Sequence, residues 1–338
     1  MATFQSQQLN LTEDYCVELG VLIATSTYYR ASLLFSLAIS TCSAAAMIYF
    51  MAKYYGNSLL FHSNLRMLYI FLSLSCLTFD VSNIIAKVHH LTVSFLFKTP
   101  CEIMMPKAFL IATSFPLFYS IGTAQFAQMS MIVERWIAII FVGDYESGYK
   151  KLGPALIAAT VIINCCSMYI MYYGETFEVP QWNARLMPST TYPRSSVVLW
   201  TFLALNFISL LVTIALYFFN RKRRRTTTLS SKFQSNENTI ALNLLFMTSS
   251  LQFVPLLITQ VCGLYLRTYQ VNNPLRFAYR ENFDIFNYYT LLLPILSTIY
   301  FGKVKRQRIK DITNKINMKA TGNDGWANYS NMIQNQWK

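Results

Sequence analysis

The chain is poor in charge. Only 13% of its 338 residues are Asp, Glu, Lys or Arg, against roughly 25% in an average soluble domain. A soluble fold of this size covers its surface with charge, so that class is excluded. Histidine is scarcer still. His62, His89 and His90 are the whole complement, and all three lie outside the apolar runs. An intramembrane enzyme needs paired acids or clustered histidines at one depth; without either, no catalytic residue is expected. None of the seven cysteines has a partner at zinc-ligand spacing, so no metal or cofactor is expected. Residues Met1–Arg30 lack a basic start followed by a short apolar stretch, and no secretory signal peptide is read there. No run alternates polar and apolar residues with period two, which argues against a membrane β-barrel.

Apolar sequence is what the chain has, at 54%. A helix needs about 20 apolar residues to cross a bilayer core. Seven runs qualify: Ala31–Ala52, Met67–Val88, Ala108–Val133, Gly153–Tyr173, Ser196–Phe219, Thr239–Leu266 and Phe283–Phe301. The expected fold is all-α, a seven-helix transmembrane bundle over residues 31–302, with an N-terminal segment 1–30 and a tail 303–338. Scattered Ser, Thr, Asn and Gln within the runs suit helix faces that look into a bundle. Pro116, Pro255 and Pro294 interrupt three runs, and such sites leave kinks about which half a helix can tilt.

Lys and Arg are retained on the cytoplasmic side during insertion. Nineteen of them follow the odd-numbered runs and nine fall on the other side. The expected orientation therefore has the amino terminus outside and the tail inside. The same asymmetry accounts for most of the net charge of +13, so no nucleic-acid partner is needed. Two glycosylation sequons test the assignment: Asn10-Leu11-Thr12 is expected outside and Asn328-Tyr329-Ser330 inside. With an odd number of spans at most one is glycosylated, and Asn10 is the expected acceptor. Cys16 and Cys101 fall in outside segments, where disulfides persist. A bridge between them and two free thiols are both open readings.

The basic run Arg221–Arg225 suits a lipid-headgroup anchor and, compatibly, a docking surface for a cytoplasmic partner. Val304, Ile309, Ile312 and Ile316 can share one side of an amphipathic segment lying in the headgroup plane, and the end from Thr321 reads as flexible. Asp80 lies mid-membrane in the second run, where a carboxyl needs a reason. It is either an interior or ion-coupled switch position or a group held by interhelical hydrogen bonds. Asp284 suits a solvated helix start. Polar residues able to line a ligand cavity are Asn83, Tyr119, Asn206, Gln260 and Asn287.

Three stretches carry a family likeness: Phe61-His62-Ser63-Asn64-Leu65, Glu134-Arg135 followed by Asp144-Tyr145-Glu146, and Phe233-Gln234-Ser235-Asn236-Glu237-Asn238. In this order, across essentially all seven runs, they make the chain resemble nematode serpentine chemoreceptors of the class alpha superfamily. That group includes classes alpha, alpha-beta, beta and epsilon, with epsilon (from Asp144-Tyr145-Glu146) or alpha-beta favoured. The resemblance implies a G-protein-coupled receptor of the plasma membrane, often of sensory cilia. Such a receptor binds small environmental chemicals from outside and activates a cytoplasmic heterotrimeric G protein. It departs from the larger rhodopsin-like group in having Trp136 after Glu134-Arg135, no Asn before Pro294, and no cysteine between Gly174 and Ser195. The resemblance further implies that Arg135 faces the bundle, restrained at rest by Glu134 or Glu237, with Asp144, Tyr145 and Glu146 beside it. A channel or transporter is the alternative, but no internal repeat, charged row or filter motif supports it.

Overall fold

The computed structural model describes residues 16–54, 62–141, 145–149, 151–177, 181, 183–184, 191–223, 229–269, 273, 275–283, 285–316 and 322–337. Among these, seven helices are long and apolar enough to cross a membrane. They are α1 (Thr27–Tyr54), α2 (Ser63–Leu96), α3 (Lys107–Ile140), α4 (Leu152–Tyr172), α5 (Tyr192–Arg223), α6 (Leu229–Tyr269) and α7 (Phe286–Ile316). Most outlast their apolar runs, because nothing in the polar flanks breaks the helix. Pro116, Pro255 and Pro294 all lie within helices.

Three expectations change. Helix α2 continues past Val88 to Leu96, so His89 and His90 belong to it and His90 is buried. The segment after Phe301 is no separate helix; α7 runs unbroken to Ile316, burying Val304 and leaving Ile309 and Ile312 exposed. The end is helical from Gly322 to Trp337, with Trp326 stacked on Tyr329 three residues on.

Helix α3 is central, packing against α2, α4, α5 and α6; α1 lies between α2 and α7, and α6 between α5 and α7. The exterior is apolar, with Ile162, Tyr169, Val197 and Phe218 exposed. The interior carries fully buried Ser40, Asp80, Asn83, Gln125 and Asn164. Such an arrangement suits a hydrocarbon solvent, in which unpaired polar groups are costly. The chain is a multi-pass membrane protein.

The two ends of the bundle differ. At one, here the disulfide end, Cys16 is bonded to Cys101 with Cα atoms 5.1 Å apart. The Met105 amide there donates to the Gln181 carbonyl at 2.9 Å, and a short helix, Arg276–Phe283, precedes α7. At the other, the basic end, lie the end of α5 with Arg221 and Lys222, the start of α6 and the extension of α7.

Candidate functional site

The three stretches that carry the family likeness meet at the basic end. Glu134 and Arg135 lie in the last two turns of α3, both buried. Neighbouring positions on a helix point about 100° apart, yet the long Arg135 side chain curls back. Its Nε and Nη2 both donate to the Glu134 carboxylate, the bidentate geometry that suits a guanidinium. Its Nη1 donates to Asn238 Oδ1 of α6 at 3.1 Å. Tyr145, at the start of the short helix Tyr145–Gly148, covers the pair from the loop. Its hydroxyl donates to Glu134, and the Arg135 guanidinium lies 5.8 Å from its ring centre. Burial, and then the Glu134 charge, push the Tyr145 phenol well above its ordinary value. It stays protonated and keeps its donor.

The first stretch seats this cover. The His62 ring accepts from the Asn64 amide at 3.4 Å, starting α2, and packs 4.6 Å from the Tyr145 ring. Buried Asn64 donates through Nδ2 to the Tyr149 carbonyl at 2.7 Å and to the Tyr145 hydroxyl at 3.3 Å. Asn64, Tyr149 and Asn238 did not stand out as single residues in the sequence. Their one signal was membership of, or closeness to, the same motifs.

Glu237 does something else. It forms an ion pair with Arg308 on the α7 extension, half-exposed, while its neighbour Asn238 takes the place beside Arg135. Of the two acids expected to restrain Arg135, Glu134 or Glu237, the structure therefore has Glu134: one step of about 100° along α6 turns Glu237 toward α7. Asp144 and Asn10 lie outside the described residues, as does Asp284. Glu146 lies in the short helix after α3.

Asp80 is completely buried and bonded. Ser43 of α1 donates to it at 2.6 Å and Thr290 of α7 at 2.8 Å. A turn away, Asn83 Nδ2 donates to Ser40 Oγ at 2.6 Å and to Asn287 Oδ1 at 3.4 Å, and Asn287 donates to Ser36 at 2.8 Å. Ser36, Ser40 and Ser43 form one face of α1. Two of the five cavity candidates, Asn83 and Asn287, thus meet in a ladder joining α1, α2 and α7.

The other three are elsewhere. Asn206 of α5 donates to Gln125 of α3 at 2.7 Å. Tyr119 stacks on Phe115, and its carbonyl accepts from Asn164 of α4 at 2.9 Å. Gln260 is half-buried on α6. A crevice between α3, α4 and α5 is lined by Phe118, Met168, Met171 and Phe202 among others and includes none of the five. Rotation about each helix axis decides these facings, and one sequence does not show it.

At the disulfide end the sequence signal was missed altogether. Lys87 of α2 and Glu281 of the short helix form a buried ion pair. Asn183 donates to Glu281 at 3.1 Å and approaches the Tyr29 hydroxyl at 3.4 Å. Among the described residues no group of His, Cys, Asp and Glu could hold a metal ion.

Seven membrane-crossing helices around a polar interior, with an acid–arginine pair buried at the end of the third, define a serpentine receptor. The chain belongs to the family described as serpentine type 7TM GPCR receptor class ab chemoreceptor, matched over residues 16–338. It is 28% identical over 341 residues to serpentine receptor class beta-17 of Caenorhabditis elegans, covering 98% of this chain and 93% of that protein. Serpentine receptor class beta-13 of the same organism is 24% identical over 332 residues, covering 95% of each. The likeness to class epsilon read from Asp144-Tyr145-Glu146 has no counterpart in these matches, which are to classes ab and beta.

Proposed function

We propose that the protein is a chemosensory G-protein-coupled receptor of the plasma membrane, with the disulfide end outside and the basic end in the cytoplasm. A bonded Cys16–Cys101 pair suits an oxidising compartment, and the basic end suits the side that retains Lys and Arg. Both supports point the same way. A small environmental chemical binds from outside, and a heterotrimeric G protein docks at the basic end. Sensory cilia are the expected membrane.

The observation that carries this reading is the Arg135 site. Arg135 joins α3 to Asn238 of α6 while Glu134 and Tyr145 keep it buried. Movement of the α6 end away from α3 breaks the Asn238 bond and exposes a charged group to a partner. A ligand that favours the moved state shifts the equilibrium toward it. Glu134, Arg135 and Tyr145 form the restraint, and Glu237 ties α6 to α7 beside it. Asp144 and Glu146 take part in recognising the partner, and Asp80 with Asn83 and Asn287 transmits helix movement.

Nucleotide exchange on a purified heterotrimeric G protein with the full-length receptor in nanodiscs tests this. Glu134→Gln removes the charge that holds Arg135 and is expected to raise ligand-independent exchange about tenfold, the equivalent of about 1.4 kcal/mol. Arg135→Ala is expected to abolish exchange. If both variants match the unmodified receptor, the restraint is not at this site.

A further inference from the structure

The buried Lys87–Glu281 pair joins α2 to the short helix that precedes α7. Lys87 is 1% exposed and sits on α2, toward the disulfide end. Its counterion belongs to Arg276–Phe283, a short helix that packs on α1 and α6 and precedes α7. A buried ammonium on a spanning helix is costly, and such residues mark sites of function. A second observation points to a ligand. His90 lies three residues on, on the same face of α2, 7% exposed, and its Nε2 has no hydrogen-bond partner.

We propose that Lys87 with His90 is the recognition site for the carboxylate of a small organic acid, and that Glu281 occupies it as an internal stand-in. The inference rests on the reading of the disulfide end as the ligand-facing end. The sign of the ligand follows from which partner can leave. If an acid takes the place of Glu281, Lys87 keeps a carboxylate beside it, and Glu281 leaves with a short helix next to the loops. If an amine took Glu281 instead, Lys87 would be left on a spanning helix without that counterion, and removing one partner of a buried pair is strongly unfavourable. The second carboxylate oxygen of a bound acid supplies the partner that His90 Nε2 lacks. Anions are therefore accepted and cations refused.

The exchange also reaches the core. The short helix ends at Phe283, three residues before α7 begins at Phe286. Asn287 and Thr290, in the first turns of α7, bond Ser36 and Asp80. Freeing Glu281 loosens the segment that holds the top of this ladder.

The probe is propionate, a small carboxylate with the carbon count of the whole glutamate side chain, read by thermal unfolding of the full-length protein in nanodiscs with no G protein present. Propionate is expected to raise the midpoint of Glu281→Ala saturably, while propionamide and propylamine do not. Lys87→Met combined with Glu281→Ala is expected to abolish the effect. Glu281→Gln keeps the shape and serves if the alanine variant does not fold. Without the competing internal carboxylate, it should respond to propionate at about tenfold lower concentration than the unmodified protein. Equal responses to acid and amide, or no response in any variant, overturn the site. Because this readout needs no coupling, its failure leaves the Arg135 reading intact, and loss of nucleotide exchange leaves this site intact.

Discussion

Asn164 of α4 lies against the backbone of Gly122 of α3. A Cβ built on Gly122 would fall inside the envelope of Asn164 Oδ1 and stand 3.1 Å from its Cγ. The Asn164 Nδ2 is meanwhile held by the Tyr119 carbonyl at 2.9 Å and Thr123 Oγ1 at 2.8 Å. Asn164 cannot step aside without losing both bonds. Small residues at such crossings let helices approach. Gly122→Ala is expected to destabilise the protein by about 1–3 kcal/mol, the range for overpacking. A lowered midpoint of thermal unfolding in nanodiscs checks it, and an unchanged midpoint would mean the two helices are not this close.

Gln252 of α6 is fully buried, and neither its Nε2 nor its Oε1 has a hydrogen-bond partner. One turn below it, Ser249 accepts from Gln128 of α3 at 2.5 Å. A buried amide left unsatisfied costs about 1–3 kcal/mol, and an apolar group of similar shape does not carry that cost. Gln252→Met is therefore expected to be neutral or to stabilise by about 1 kcal/mol. Clear destabilisation in the same unfolding measurement would show that the amide is bonded in the membrane.

Tyr145→Phe separates the hydroxyl from the ring. The ring packing on His62 and Arg135 is kept, while the bonds to Glu134 and Asn64 are lost. Hydrogen bonds to charged groups contribute about 1.5–3 kcal/mol. Ligand-independent nucleotide exchange should rise, and Tyr145→Phe combined with Glu134→Gln should rise no further than Glu134→Gln alone. Full additivity would place the two groups in separate restraints.

Orientation has a direct readout. Asn10→Gln is expected to remove a glycosidase-sensitive mobility shift in cell-expressed protein, and Asn328→Gln to leave it. The Cys16–Cys101 bond closes a sequence separation of 85 residues, and peptide mapping without reductant should recover the two cysteines linked. A glycan on Asn328 instead would reverse the bundle in the membrane and move the ligand and partner ends with it.

Much of the fold was legible because a bilayer imposes one rule on every span: a run long enough, apolar enough and nearly free of charge. Seven runs followed from that rule, with the polar positions inside them. Helix ends were less legible. Nothing in Val88–Leu96 or after Phe301 breaks a helix, so α2 and α7 run on, carrying His90 into the interior and Ile309 away from it. Pairing was least legible of all. Glu134 and Arg135 were visible as a site from their motif, but Glu237 and Asn238 are neighbours in the chain and serve different helices. Lys87 showed no partner in sequence, because Glu281 lies 194 residues away and only the folded bundle brings the two side chains together. Local composition alone set the number of spanning helices and the polarity of their interior. Which polar groups meet was decided by the tertiary structure alone, because that depends on the rotation and register of each helix against its neighbours.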